Sequence, residues 1–183
     1  HARAERPAEV ERGLAAQVDG FLGIGMGAAP AFPDTFVLAL RQRLLAQPNK
    51  PLFWSPAISA VFNYEWLRTD AEPLDDPALN DGVPPVIVTD ILGSLRNLDR
   101  VSGLDMPASR RPTLCTKLRQ LRDAGAALVA GSDAGVPAHL HSRATWQEID
   151  VWVRECGIEP EYAIQAATHD AAVAMRAQAQ AGS

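Results

Sequence analysis

The sequence predicts an α/β protein with parallel strands, and three observations carry that prediction. Short apolar runs alternate with longer segments of helical periodicity along most of the chain. The helical segments are punctuated by proline near their starts and glycine at their ends. The clearest apolar run, in AALVAGSDAGVPAHLH (126–141), ends on a carboxylate, Asp133, inside a glycine-framed turn. A parallel strand delivers an acid to the carboxyl-terminal rim of a sheet in that way.

Taken in order, ERPAEVERGLAAQV (5–18) has proline near its start and apolar residues at helical spacing, and predicts a helix. DGFLGIGMG (19–27) reads as a buried strand whose glycines allow close backbone approach. PDTFVLALRQRLL (33–45) sets Phe36, Val37, Leu40 and Leu44 on one side of a second helix. PLFWSPAIS (51–59) is a strand candidate that Pro56 confines to a strand end or bulge. Residues 60–106 hold an acidic turn, DAEPLDDPALNDG, and an apolar run, PPVIVTDILGSLRNL, that fits strand or helix; the length predicts an elaborated loop. PTLCTKLRQLRDAG (112–125) is a helix with Pro112 in its first turn and Gly125 as its stop. AALVAG (126–131) is a buried strand, Ser142 is placed to cap the helix RATWQEIDVWVREC, and Gly157 closes it. Trp146, Ile149 and Val153 recur at helical spacing as packing residues, and two further helical segments end the chain.

Composition limits the functions open to such a domain. With 183 residues, 47% of them hydrophobic, the chain can bury a sizeable core as one domain or part of a larger one. Its net charge of −5, with Lys and Arg scattered, provides no footprint for nucleic acid or an anionic membrane. No apolar stretch approaches the roughly 18 residues a membrane span needs. Cys115 and Cys156 belong to no CxxC pair or metal-ligand spacing and are expected to be buried free thiols. The chain opens on His1 without methionine, so the expectation is a processed start or a fragment.

The ordered run RQLRDAG, ALVAGSDAG, His141, Glu148 and GIEPEYAIQAATHDAA resembles the end of an amidohydrolase-superfamily barrel, most closely the imidazolonepropionase and prolidase-like branch. The resemblance implies a metal-dependent hydrolase on a (β/α)8 TIM-type barrel, of which this chain is the C-terminal half, about strands six to eight with their helices. It also implies a divalent metal cofactor, zinc in the first place, and a small-molecule substrate hydrolysed at a C–N bond of an amide, cyclic amide or dipeptide. Asp133 matches the strand-eight aspartate, which in the family binds metal and accepts the proton of the attacking water; a divalent ion lowers that water's pKa toward about 7. Read without the resemblance, Asp133 is a carboxylate capping the following turn. His1, before a helix, matches the strand-five metal ligand, and His141 matches a loop histidine suited to substrate contact; His139 is a second candidate there without a family counterpart. Exposed, solvated loop histidines are the alternative for both, and His169 is expected to cap or pack at a helix junction.

The chain also departs from the family pattern. Ile24 and Met26 stand where a strand-six histidine is expected, and a thioether is a poor ligand for a borderline ion. The strand-one HxH pair and a strand-four lysine are missing, since Lys50 lies in a loop and Lys117 in a helix. A zinc centre needs three protein ligands plus water. Another motif, VIVTDILGSL, is similar to a haloacid-dehalogenase strand, but that chemistry requires an acid where Leu92 stands. A whole barrel takes about 250 residues, and three strand candidates cannot close one. Two classes follow: a C–N hydrolase using Asp133 and His1, possible as a homo-oligomer, or a non-catalytic relative that keeps the packing without the metal. Compartment and substrate identity are not fixed by the sequence.

Overall fold

The computed structural model describes residues 2–3, 7–24, 29–69, 82–95, 97, 110–135, 139–177 and 179–180. Strand β1 (Ala2–Arg3) leads to α1 (Pro7–Ala15), β2 (Gly20–Leu22) to α2 (Asp34–Ala46), and β3 (Phe53–Ser55) to α3 (Ser59–Thr69). Helices α4 (Pro85–Leu95) and α5 (Arg110–Ala124) precede β4 (Ala127–Leu128). Then come α6 (His141–Asp150), running directly into a π-helical turn (Val151–Glu155), α7 (Pro160–Ala167) and α8 (His169–Ala174).

All three strand pairings are parallel and the sheet order is β1-β2-β3-β4. The α/β class with parallel strands is therefore as expected. Helices α1, α2 and α5 pack into one core cluster with the buried strand residues, through Val10, Phe36 and Leu40, and Leu118 and Leu121. The strand side chains agree with this. Phe21, Trp54 and Leu128 share one row of the register and are buried, while Phe53, Ser55 and Ala127, pointing the other way, are only half-buried. On the covered face the Phe21 and Trp54 rings lie 4.6 Å apart, and Phe36 of α2 meets Trp54 edge-on at 6.2 Å. Leu40 of α2 and Leu118 and Leu121 of α5 complete the same core cluster.

Several expectations are corrected. Among the described residues there are four strands rather than three, because Ala2–Arg3 pairs with Phe21–Leu22; two residues are too few to show a period. Within 60–106 the described residues include nearly all of α3 and the whole of α4. VIVTDILGSL is thus helical, which removes the strand that a haloacid-dehalogenase motif requires. Helix α6 starts at His141 with Leu140 as its N-cap and no side-chain cap bond, so Ser142 does not cap it. Trp146 is half exposed, under the Arg143 guanidinium at 5.5 Å, instead of packing in the core. The buried face of this helix is carried by Ala144, Gln147, Glu148, Val151 and Trp152.

Cys115 and Cys156 are not free thiols: they form a disulfide joining α5 to the end of the π-helical turn, with Cα atoms 4.7 Å apart. The closed loop between them contains β4, Asp133, both loop histidines and Glu148. Among the described residues no helix is long and apolar enough to cross a membrane.

Candidate functional site at the carboxyl ends of the strands

The backbone brings the strand ends together before any polar side chain is considered. Gly23 N–H donates to Ser55 O at 2.8 Å, and the Trp54 indole N–H donates to Gly23 O at 2.7 Å, tying the end of β2 to β3. Val129 N–H donates to Trp54 O at 2.9 Å, and beyond it the chain passes Ser55 at Gly131. A Cβ on Gly131 would lie 2.5 Å from the Ser55 hydroxyl oxygen, so any other residue here requires that hydroxyl to move. Gly131→Ala is expected to cost about 1–3 kcal/mol as overpacking. Ser55→Ala removes the obstructing oxygen, so the double variant should recover most of that loss in urea denaturation; a double variant no more stable than Gly131→Ala would show that the contact is not the cause.

Two non-glycine residues hold left-handed backbone at this rim: Ala57, after β3, has φ +51°, and Asp133, after β4, has φ +48°. Such conformations cost energy and persist where surrounding contacts fix them, as happens at functional sites. Asp133 itself is exposed. Gly135 N–H donates to His139 O at 3.2 Å, folding the chain back on itself after Asp133.

That fold-back separates the two loop histidines. His141 is exposed at the first residue of α6, its Nε2 3.4 Å from where a Cβ on Gly135 would stand. His139 is only 1% exposed, so an ordinary solvated loop position does not describe it. Its Nε2 lies 3.2 Å from Ser59 Oγ, while its Nδ1 has no hydrogen-bond partner among the described residues. Burial lowers the pKa of the ring; the Ser132 backbone and the Asp133 carboxylate act in the opposite direction, and His141 adds to the lowering.

Behind Ser59 sits a group with a larger structural role than its sequence position suggests. Glu148 is fully buried, with Oε1 accepting from Ile58 N–H at 3.0 Å and from the Trp152 indole N–H at 2.8 Å, and Oε2 accepting from Ser59 N–H at 2.7 Å. It thereby caps the first turn of α3 with a carboxylate carried by α6, using a helix terminus that prefers negative charge. Burial raises its pKa above the usual carboxylate value and the hydrogen bonds it accepts oppose that rise. A signal is present in the sequence: Glu148 shares the spacing of Ala144, Val151 and Trp152, a carboxylate within an apolar stripe.

The structure thus places Asp133, His139 and His141 on one rim loop. His1 and Met26 lie outside the described residues, and Ile24 is a buried core residue just past β2. His169 is exposed at the start of α8. Lys117 is buried within α5, its ammonium 6.0 Å from the Phe32 ring centre, and burial lowers its pKa. Among the described residues no group of three His, Cys, Asp or Glu side chains converges as metal ligands would. Taken alone, these residues do not fit a zinc centre, which takes three protein ligands. Compared with protein-family models, curated proteins and solved structures, the chain matches none.

Proposed function

We propose that this chain forms the C-terminal half of an amidohydrolase-type (β/α)8 barrel and belongs to a metal-dependent hydrolase of C–N bonds in a small molecule, an amide, cyclic amide or dipeptide. The observation that supports this reading is the sheet itself: four parallel strands in sequential order, with Asp133 just past the carboxyl end of the last. A doubly wound sheet would reverse its strand order at a switch point, and this one does not. Barrel enzymes place their chemistry at the carboxyl-terminal face. In this reading Asp133 is the candidate catalytic carboxylate and one metal donor, His1 a second donor, and His141 and His139 the substrate-facing histidines; zinc is the ion expected, with the remaining ligands supplied from outside the described residues.

A second reading, a non-catalytic relative that keeps the packing without the metal, is favoured by one observation, the lack of a three-ligand cluster among the described residues. Zinc and manganese content of the purified protein, with amide hydrolysis measured on the same samples, separates the two. Bound metal in the wild type, lost together with hydrolysis in Asp133→Ala, is the result expected. Wild-type protein without metal, and an Asp133→Ala variant with no activity lost, would reject the hydrolase.

A further inference from the structure

We propose that Cys115 is an entry point for small anionic thiols, which open the Cys115–Cys156 bridge by thiol–disulfide exchange from a cavity beside α5. Arg111, Cys115 and Arg119 follow one another at four-residue spacing along that helix, so Cys115 has a guanidinium one turn to either side on the same face. This face lines a cavity of about 410 Å³, whose walls also include Thr116, Phe62 of α3 and Glu155 of the π-helical turn. Of the two bridged residues only Cys115 lines it, 5% exposed, whereas Cys156 is fully buried. An incoming thiol therefore meets Cys115 first.

The charges in the cavity do not cancel. Arg111 Nη2 donates to Glu155 Oε2 at 3.0 Å, and its guanidinium carbon lies 4.9 Å from the centre of the Phe62 ring. Arg119 Nη1 donates instead to the Cys156 carbonyl oxygen at 2.8 Å. Among the described residues lining the cavity, two cations thus face one anion, a surplus that draws an anionic thiol and disfavours a cationic one. The same bond holds the Arg119 guanidinium beside the residue that must leave as a thiolate. In the first step the thiolate sulfur of the small molecule bonds to Cys115 Sγ, the bond between the two Sγ atoms breaks, and Cys156 departs as thiolate and is protonated by water. A second thiol then attacks the mixed disulfide, which frees Cys115 and leaves the two small molecules joined as their own disulfide. The two electrons gained by the protein come from the two thiols. Opening the bridge releases the segment that carries β4, Asp133, His139 and Glu148. Any effect on hydrolysis rests on the Asp133 loop being the site; the exchange at Cys115 does not.

The test follows reduction of the intact protein, without denaturant and at low salt, by 3-mercaptopropionate, which is anionic, and by cysteamine, which is cationic. Rates are compared at equal thiolate concentration, each divided by that thiol's rate on the urea-unfolded protein. The anionic thiol is expected to be favoured by about tenfold, the lower end of electrostatic steering, with most of the preference lost in molar salt. Peptide mapping of samples quenched early in acid should place the adduct on Cys115 and the free thiol on Cys156. Arg119→Gln, whose amide keeps a donor for the Cys156 carbonyl, should shrink the preference. A folded protein whose bridge yields to neither thiol, an adduct on Cys156 or spread over both cysteines, or equal rates for the two thiols overturns the proposal. Should Arg119→Gln not fold, the adduct position and the salt dependence of the wild type decide. Metal content in Asp133→Ala reports on the barrel reading and not on this one, so either can fail without the other.

Discussion

Replacing Glu148 by alanine is expected to destabilise the protein by about 3–5 kcal/mol, the range for breaking a buried charged hydrogen-bond network on one side. The carboxylate satisfies Ile58 N–H, Ser59 N–H and the Trp152 indole N–H, all inside the core, and alanine leaves each of them without an acceptor. A cavity is added to that loss. Glu148→Gln should fall between the two, by about 1–3 kcal/mol. Its carbonyl oxygen can replace Oε1 and keep two of the bonds, but its amide NH2 then faces the Ser59 N–H, donor against donor. Urea denaturation at neutral pH gives the ranking, and an alanine variant within about 1 kcal/mol of wild type would refute the account of the clamp.

The pH dependence of the same residue has a definite sign. Burial raises the folded-state pKa of Glu148 above its ordinary value of 4.5. Between the unfolded and folded values the native state binds more protons, so the contribution of this group to stability grows as pH falls through its folded pKa and is complete below 4.5. Glu148→Gln does not titrate and should lose that acid-side gain. Stability curves of wild type and Glu148→Gln that stay parallel on acidification would contradict it.

Reducing the Cys115–Cys156 disulfide is the second large effect. The cysteines are 41 residues apart, and closing a loop of that length lowers the entropy of the unfolded chain by an amount worth about 4 kcal/mol. For a chain of this size that corresponds to roughly 8–15 °C in Tm. Because the closed loop holds β4, Asp133, His139, His141 and Glu148, loss should loosen the candidate site before it affects β1 to β3. Thermal unfolding with and without reductant, checked against Cys115→Ser with Cys156→Ser, measures it. A melting temperature insensitive to reductant, with two titratable thiols confirmed in the reduced sample, would show that the bridge contributes little. Such a bond persists in oxidising surroundings and is rare in a reducing cytosol.

What can be read from the sequence follows the range of the interactions. Helices α1, α2 and α5 are legible because proline starts, apolar periodicity and glycine stops act within a few residues, as Gly125 at φ +92° after α5 demonstrates. Strands β2, β3 and β4 are legible as apolar runs between turn residues, and Asp133 as the carboxylate after the last of them. The packing face of α6 and the π-helical turn is legible only in part: Ile149 and Val153 of the visible stripe do pack against the core, Trp146 is half exposed, and the fully buried pair is Val151 and Trp152. Either stripe has helical spacing, and the depth to which each is buried belongs to the neighbours that cover it.

Local signals suffice for the class, parallel α/β, for the order of most of its elements and for the acidic turn after the last strand, because propensity, capping and periodicity act over a few residues. Long-range contacts settle what those signals leave open: that Ala2–Arg3 is a strand paired with Phe21–Leu22, that two cysteines 41 residues apart meet, and that His139 is buried while His141, two residues on, is exposed. They also settle that Glu148 reaches across from α6 to cap α3. Each of these joins residues distant in sequence, where burial removes the competing water and lets a single hydrogen bond select the partner.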